Sequence, residues 1–354
     1  MDQQQIMEIL DGRARGTGPA VLRGCLSVAA GPYSAVLRVR RWAYCNGLLP
    51  SHTSAVPVIS VGNMTVGGTG KTPMAVWVAG RLIELGRRPA VLTRGYKPER
   101  GISDEAELLA RLLRRVPGGE WKVPVVVNPN RLAGARSAIA AGADTVVMDD
   151  GFQHLRLRRD LDIVLIDATC PFGFGRVLPR GLLREPLSAL RAADAVVITR
   201  ADQVEPSELA SLRDRLGELT EQATLHTAVH RPTHLVGLDG QTHSLSELAG
   251  RGVLAFCGLG NPGQFFQTLR QSGAALAASK AFDDHVAYTA DMLAALDAQA
   301  RDCGAEVLLT TQKDAIKLPG GWTALPIYAL AVEIEVTDGR QELLQRIEGS
   351  LRRA

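Results

Sequence analysis

The stretch Val58-Ile59-Ser60-Val61-Gly62-Asn63-Met64-Thr65-Val66-Gly67-Gly68-Thr69-Gly70-Lys71-Thr72-Pro73 decides the fold. Its apolar, β-branched start reads as a buried strand, its glycines as a loop, and Lys71-Thr72-Pro73 as the first turn of a helix. Proline is tolerated there because a first-turn N–H has no intrahelical partner to lose. Such a loop turns successive backbone N–H groups inward, and the helix N-terminus adds partial positive charge. Gly67, Gly68, Thr69 and Gly70 are therefore expected to cradle phosphates. Lys71 is expected to reach the terminal phosphates and the Thr72 hydroxyl to hold Mg²⁺. A strict motif carries glycine five positions before Gly70, where this chain has Thr65.

Around this stretch, the composition sets limits. A chain of 354 residues, 46% hydrophobic and 22% charged, has the length for two domains and the apolar content for a sizeable core. Five cysteines without C-x-x-C spacing argue against a disulfide scaffold or zinc site and for a reducing compartment. A net charge of +3 is too small to imply a nucleic-acid partner.

That excess charge sits in residues 1–50, where Arg13, Arg15, Arg23, Arg38, Arg40 and Arg41 face only Asp2, Glu8 and Asp11. Apolar runs at 20–22, 25–30 and 33–37 are broken by Arg23, Gly31 and Pro32, short of the ~20 residues that span a bilayer. The start Met1-Asp2-Gln3 is unlike a signal peptide. The composition fits helices lying in a membrane interface and equally a helical pair packed on the protein's own surface.

From Val56 onward the chain alternates in the α/β manner. Helix is expected over 74–85, strand over 89–93, helix from Ser103 to about Arg115, and strand over 123–127. Helix 131–141 and strands 145–148, 163–166 and 195–199 follow. The pattern loosens between about 225 and 252, which predicts a connector. Beyond it, strand 253–257 opens a second α/β unit that closes with a helix over 340–351.

Val146-Val147-Met148-Asp149-Asp150 has the form of a strand that delivers a carboxylate to a metal beside a phosphate loop. The residues Gly151-Phe152-Gln153-His154 follow at the same strand end. Together with the loop, Thr-Arg-Gly-Tyr at 93–96, Asp104-Glu105, Leu178-Pro179 and Leu183-Arg184-Glu185-Pro186, they form a specific set. It continues with Phe282-Asp283-Asp284-His285 and Thr311-Gln312-Lys313-Asp314-Ala315-Ile316-Lys317. In this order the motifs resemble the tetraacyldisaccharide 4′-kinase family of lipid A biosynthesis, from about residue 56 to 317.

The resemblance implies transfer of the ATP γ-phosphoryl group to the 4′-hydroxyl of a lipid-linked disaccharide 1-phosphate. It also implies a peripheral enzyme on the cytoplasmic face of a Gram-negative inner membrane, with anionic lipid as a partner and no nucleic acid. By matching positions, Thr72, either Asp149 or Asp150, and Glu185 serve Mg²⁺. Asp104 is the catalytic carboxylate and His285 its partner. Asn63, Tyr96, Gln153, His154 and Arg184 face the substrate. A carboxylate paired with imidazole suits the chemistry, since a sugar hydroxyl is a poor nucleophile until its proton has an acceptor.

The fold this implies is a P-loop NTPase-like, mostly parallel sheet with helices on both faces (51–225). An N-terminal helical segment (1–50), a connector (226–252) and a smaller C-terminal α/β domain (253–354) complete it.

Three other signals invite different readings. Gly258-Leu259-Gly260-Asn261-Pro262-Gly263 has dinucleotide-loop spacing, but the internal Pro262 favours a structural turn. Thr199-Arg200-Ala201-Asp202 is a distant echo of a guanine-reading motif, with Arg in place of Lys. His226, His230, His234 and His243 lack metal-ligand spacing. The competing functions are a nucleotide-dependent switch of the GTPase type and a nucleotide-binding scaffold without chemistry. Nucleotide preference and acceptor-dependent turnover separate them from a kinase.

Overall fold

A computed structural model describes residues 3–95, 103–117, 120–284, 286–319 and 324–352. Two helices come first, α1 (Gln3–Asp11) and α2 (Thr17–Cys45). The phosphate-loop region follows with β1 (Val58–Asn63), α3 (Lys71–Glu84), β2 (Pro89–Thr93), α4 (Asp104–Leu113), β3 (Val125–Val127), α5 (Arg131–Ala140) and β4 (Thr145–Asp149). Next are β5 (Leu161–Asp167), β6 (Ala195–Thr199), α6 (Pro206–Thr220), β7 (Thr224–Gly237) and β8 (Thr242–His243). The chain closes with β9 (Gly252–Cys257), α7 (Pro262–Gln271), β10 (Ala275–Ala281), α8 (Ala290–Asp302), β11 (Val307–Thr311), α9 (Gln312–Ala315), β12 (Ile327–Asp338) and α10 (Arg340–Ser350).

The chain forms two compact units. The first comprises Met1–Gly95, Leu109–Val229 and Ile334–Ala354; the second, Tyr96–Leu108 and His230–Glu333. In the first, the strand order is β3-β2-β4-β1-β5-β6-β7-β12, and the pairs from β3 through β7 are parallel. Side chains of β5 go to both faces. Ile163 and Leu165 pack with Met74, Val78 and Leu82 of α3, while Val164 and Ile166 pack with Leu212 and Leu216 of α6. Two-sided burial is why these strands read as unbroken apolar runs. Each fully buried Leu, Ile or Val contributes roughly 1.5–3 kcal/mol. In the second unit β10, β9, β11 and β12 lie side by side and parallel, with β8 antiparallel to β7.

Three expectations change. The predicted connector 226–252 begins within β7, a strand of 14 residues. The predicted C-terminal domain loses α10 to the first unit, where Leu343 and Ile347 join the same core as α3. And the N-terminal segment is not a set of broken runs, because α2 continues for 29 residues through Pro32. Its halves on either side of Pro32 are each long enough to propagate once nucleated, so one lost hydrogen bond does not end the helix. Arg23, read as an interruption, folds back to donate to the Ala14 carbonyl at 2.9 Å. The helix is long and apolar enough to cross a membrane by length and composition. Of its residues, Ala30 and Leu37 are buried, while Val21, Val28, Val36, Val39 and Trp42 are each more than half exposed.

Candidate active site

The phosphate loop folds as its glycines dictate. Left-handed backbone falls at Gly67 (φ 121°) and Gly70 (φ 91°), the latter capping α3. It does not fall at Thr65, which is buried and bridges antiparallel to Leu183. The bridge is flanked by Val66 N–H to the Leu182 carbonyl and Arg184 N–H to the Met64 carbonyl, both at 2.8 Å. Thr65 thus needs no glycine, because the chain there is strand-like and paired. The same short ladder carries Arg184 to the loop.

The carboxylate strand meets it from the other side. β4 runs beside β1, with Asp149 in register with Val61. The next residue, Asp150, takes a left-handed conformation (φ 53°) that non-glycine residues rarely adopt. Its carboxylate lies 3.6 Å from Lys71 Nζ and accepts from Arg184 Nη1 at 2.9 Å on both oxygens. Burial pushes the Asp150 carboxyl upward, but Lys71, Arg184 and Arg131 outweigh it and hold the group below its ordinary value. It is therefore ionised at neutral pH. Asp149 is buried, and its carbonyl accepts from Arg131 Nη2 at 3.1 Å. The turn fits only because residue 62 is glycine, since a Cβ there would stand 2.5 Å from Phe152 Cβ and 2.7 Å from its backbone nitrogen.

The residues expected on the substrate side form a chain of contacts. Buried Asn63 donates to the Thr65 carbonyl at 2.8 Å, and Gln153 donates to the Asn63 carbonyl at 2.7 Å. Arg40 of α2 then donates to the Gln153 carbonyl at 2.9 Å, and Arg159 to that of His154 at 3.0 Å. Burial first, then Arg131, Arg159, Arg40 and Arg156, bring the His154 pKa down to about 4, so its imidazole is neutral near pH 7.

Glu185 departs from expectation. Read from the sequence as a metal ligand, it is 1% exposed and faces Arg41 at 3.5 Å and Arg40 at 3.8 Å. Burial pushes its carboxyl upward while the two arginines pull it back, and burial prevails. Arg41 also lies over the Phe152 ring, 5.1 Å from its centroid. These arginines, with Arg131, are what the sequence reading missed. The excess of arginine in residues 1–50 was the available signal, but two of the six turn toward this site.

In the second unit, Asp104 opens α4, whose first turn also holds Glu105 and Glu107. Tyr96 and His285 lie outside the described residues. Near His285 in sequence, Asp284 accepts from Lys313 Nζ at 2.9 Å. Fully buried Asp314 accepts from Gly258 N–H at 3.0 Å and from the Thr311 hydroxyl at 2.7 Å. The dinucleotide-like glycine stretch thus has its first N–H committed to a carboxylate of the Thr311–Lys317 motif.

Among the described residues no group of three or more His, Cys, Asp or Glu side chains is arranged to hold a metal. A magnesium ion does not require one. It commonly takes one or two carboxylates, with water and substrate phosphates completing its shell. The hard oxygens of Thr72, Asp149 and ionised Asp150 fit that chemistry.

A family profile described as LpxK, tetraacyldisaccharide-1-P 4′-kinase, matches residues 22–352. A tetraacyldisaccharide 4′-kinase from Anaeromyxobacter sp. (strain Fw109-5) is 40% identical, covering 97% of this chain and 95% of its own. One from Anaeromyxobacter dehalogenans (strain 2CP-C) is 43% identical over 83% of this chain and 80% of its own. Among solved structures, the "apo" form of LpxK from Aquifex aeolicus in complex with ATP superposes with a TM-score of 0.73. That protein is 30% identical, with 94% of this chain and 100% of that one covered.

Proposed function

The chain belongs to the tetraacyldisaccharide-1-P 4′-kinase family, and on that footing we propose how its residues divide the reaction. The protein is an ATP-dependent kinase of lipid A biosynthesis. It transfers the γ-phosphoryl group to the 4′-hydroxyl of tetraacyldisaccharide 1-phosphate, forming lipid IVA.

Lys71 and the amides of Gly67, Gly68, Gly70 and Thr72 hold the phosphates, while Thr69, whose N–H donates to the Gly67 carbonyl, shapes the loop between them. Thr72 with Asp149 and Asp150 would hold Mg²⁺, which when bound neutralises phosphate charge. Asp104 accepts the proton of the sugar hydroxyl, with His285 as its imidazole partner. As that oxygen bonds to the γ-phosphorus, the bond to the β-phosphate oxygen breaks and ADP leaves. Asn63, Tyr96, Gln153, His154 and Arg184 line the acceptor side, where the Arg184 fork can meet phosphate charge. Glu185, paired to Arg40 and Arg41, holds α2 rather than the metal. The core kinase domain is the parallel-sheet region that begins at about residue 51.

We further propose that the enzyme is peripheral on the cytoplasmic face of the inner membrane. Its substrate's acyl chains stay in the bilayer, so the site must come to the interface. The exposed apolar side chains of α2, interspersed with arginine, suit that surface.

The observation that carries the site assignment is the convergence of Lys71 and Arg184 on one ionised carboxylate beside a glycine loop. The test is ³²P transfer from labelled ATP to the purified disaccharide 1-phosphate in mixed micelles, run against GTP. Acceptor-dependent transfer from ATP supports the assignment. Hydrolysis without transfer, or a preference for GTP, returns it to the switch-type alternative.

A further inference from the structure

A phosphate-binding loop works only if its carbonyls face away from the anion, and a carbonyl turned away needs a partner of its own. For two carbonyls of this loop, those of Thr69 and Gly68, the partner is a side chain at the end of β6. The Thr199 hydroxyl donates to the Thr69 carbonyl at 3.1 Å, and Arg200 Nη2 donates to the Gly68 carbonyl at 2.7 Å.

Arg200 is itself held. Its Nη1 pairs with the Asp167 carboxylate at the end of β5, and both side chains are nearly buried. Its backbone is left-handed (φ 54°), a conformation unusual for arginine and maintained only where surroundings over-determine it. In a trans peptide the carbonyl and the following N–H point in opposite directions. Tying down the Thr69 carbonyl therefore turns the Gly70 N–H, at the start of α3, to the other side. The Thr69 N–H closes the turn on the Gly67 carbonyl at 3.2 Å.

We propose that Thr199, Arg200 and Asp167 form a latch that fixes the phosphate loop in its anion-binding shape, with Arg200 and Thr199 as positioning residues for ATP. This gives a role to the Thr199-Arg200-Ala201-Asp202 stretch that the kinase motifs leave unused. The three residues approach the loop from β5 and β6, while Asp150 and Arg184 approach Lys71 from β4 and the 182–184 strand. The latch thus acts on nucleotide binding and leaves the acceptor side alone. The inference rests on the loop binding ATP as proposed above.

Thr199→Val keeps shape and removes one donor. Arg200→Met alone takes the cation from a buried Asp167 that keeps its Thr169 hydrogen bonds, so it is paired with Asp167→Asn in a double variant. Binding of ATP by titration calorimetry, KM for ATP, KM for the disaccharide acceptor and the melting temperature are measured on the full chain. Each variant is expected to weaken ATP binding and raise its KM about tenfold, the worth of one hydrogen bond to an aligned group. The acceptor KM is expected to stay within twofold, and Thr199→Ser and Arg200→Lys to recover most of the loss.

Folded variants with wild-type ATP affinity would overturn the latch. So would an equal rise in both KM values with a lowered melting temperature, which marks a fold element only. Lys71→Ala measured alongside separates the two readings. If it too transfers phosphate normally, the loop assignment has failed and not merely the latch.

Discussion

Arg184 Nη1 donates to both carboxylate oxygens of Asp150, each at 2.9 Å, and does so from a segment joined to the phosphate loop by backbone hydrogen bonds. With Lys71 Nζ 3.6 Å from the same carboxylate, two cations and one anion stand together beside the glycine loop.

Removing Lys71 should be the most damaging single change to catalysis. Lys71→Ala is expected to lower kcat by about 10²–10³-fold, the usual cost of losing one donor aimed at developing charge. The ³²P transfer assay reads it directly. Turnover within threefold of wild type would remove Lys71 from the reaction.

Asp104→Ala should slow transfer without weakening ATP binding, because its assigned partner is the sugar hydroxyl. General-base catalysis is worth about 10²–10⁴-fold, which sets the expected fall in kcat. A variant that lost ATP affinity in proportion to kcat would show that the carboxylate serves the nucleotide and not the acceptor.

The depressed His154 pKa makes a statement about acid stability. The group titrates near 6.5 when unfolded and about 4 when folded, so between those values the unfolded chain binds more protons. Stability from this residue is complete above about pH 6.5 and is lost as pH falls toward 4. His154→Gln should flatten that part of the melting temperature profile. The imidazole's own NMR titration is expected near pH 4, and a midpoint above 6 would contradict the arginine-lined setting.

Val28→Ser with Val36→Ser should weaken association with anionic vesicles by at least about tenfold, taking roughly 1 kcal/mol or more for each exposed valine removed. ATP binding should not change. Equal co-sedimentation of variant and wild type would show that α2 does not rest on lipid through this face.

Gly62→Ala should destabilise the first unit by roughly 1–3 kcal/mol, since the added methyl meets Phe152 backbone rather than a movable side-chain end. Chemical denaturation measures the loss. A neutral result would mean that the β1 tip and the 149–152 turn can separate without cost.

Most of the core fold was legible because its evidence is local. The strand at 58–61, the glycine turn and the apolar run into Asp149 each carry their signal within a dozen residues. What was not legible depends on distant pairings. Nothing near Thr65 announces that Leu183 will lie against it, so the sequence shows only a departure from the strict motif there. Nothing near Arg40 or Arg41 announces Glu185, so the sequence fits a lipid-facing and a self-packed segment equally. The connector expectation fails because β7, after a buried run at 226–229, alternates half-buried and exposed residues over 230–234 and carries histidines and threonines, which dilute an apolar signal. Pro32 does not break α2, since one missing donor does not stop a helix with long flanks on each side.

The stitch between residues 64–66 and 182–184 is made of main-chain groups, and main chains are the same whatever side chains they bear. Mutational drift at Val66 or Leu182 can therefore proceed while the guanidinium next door keeps its address. An engineer who wished to move that cation by an ångström would have to edit the number of residues in this segment, because changing their identities would leave the seam intact.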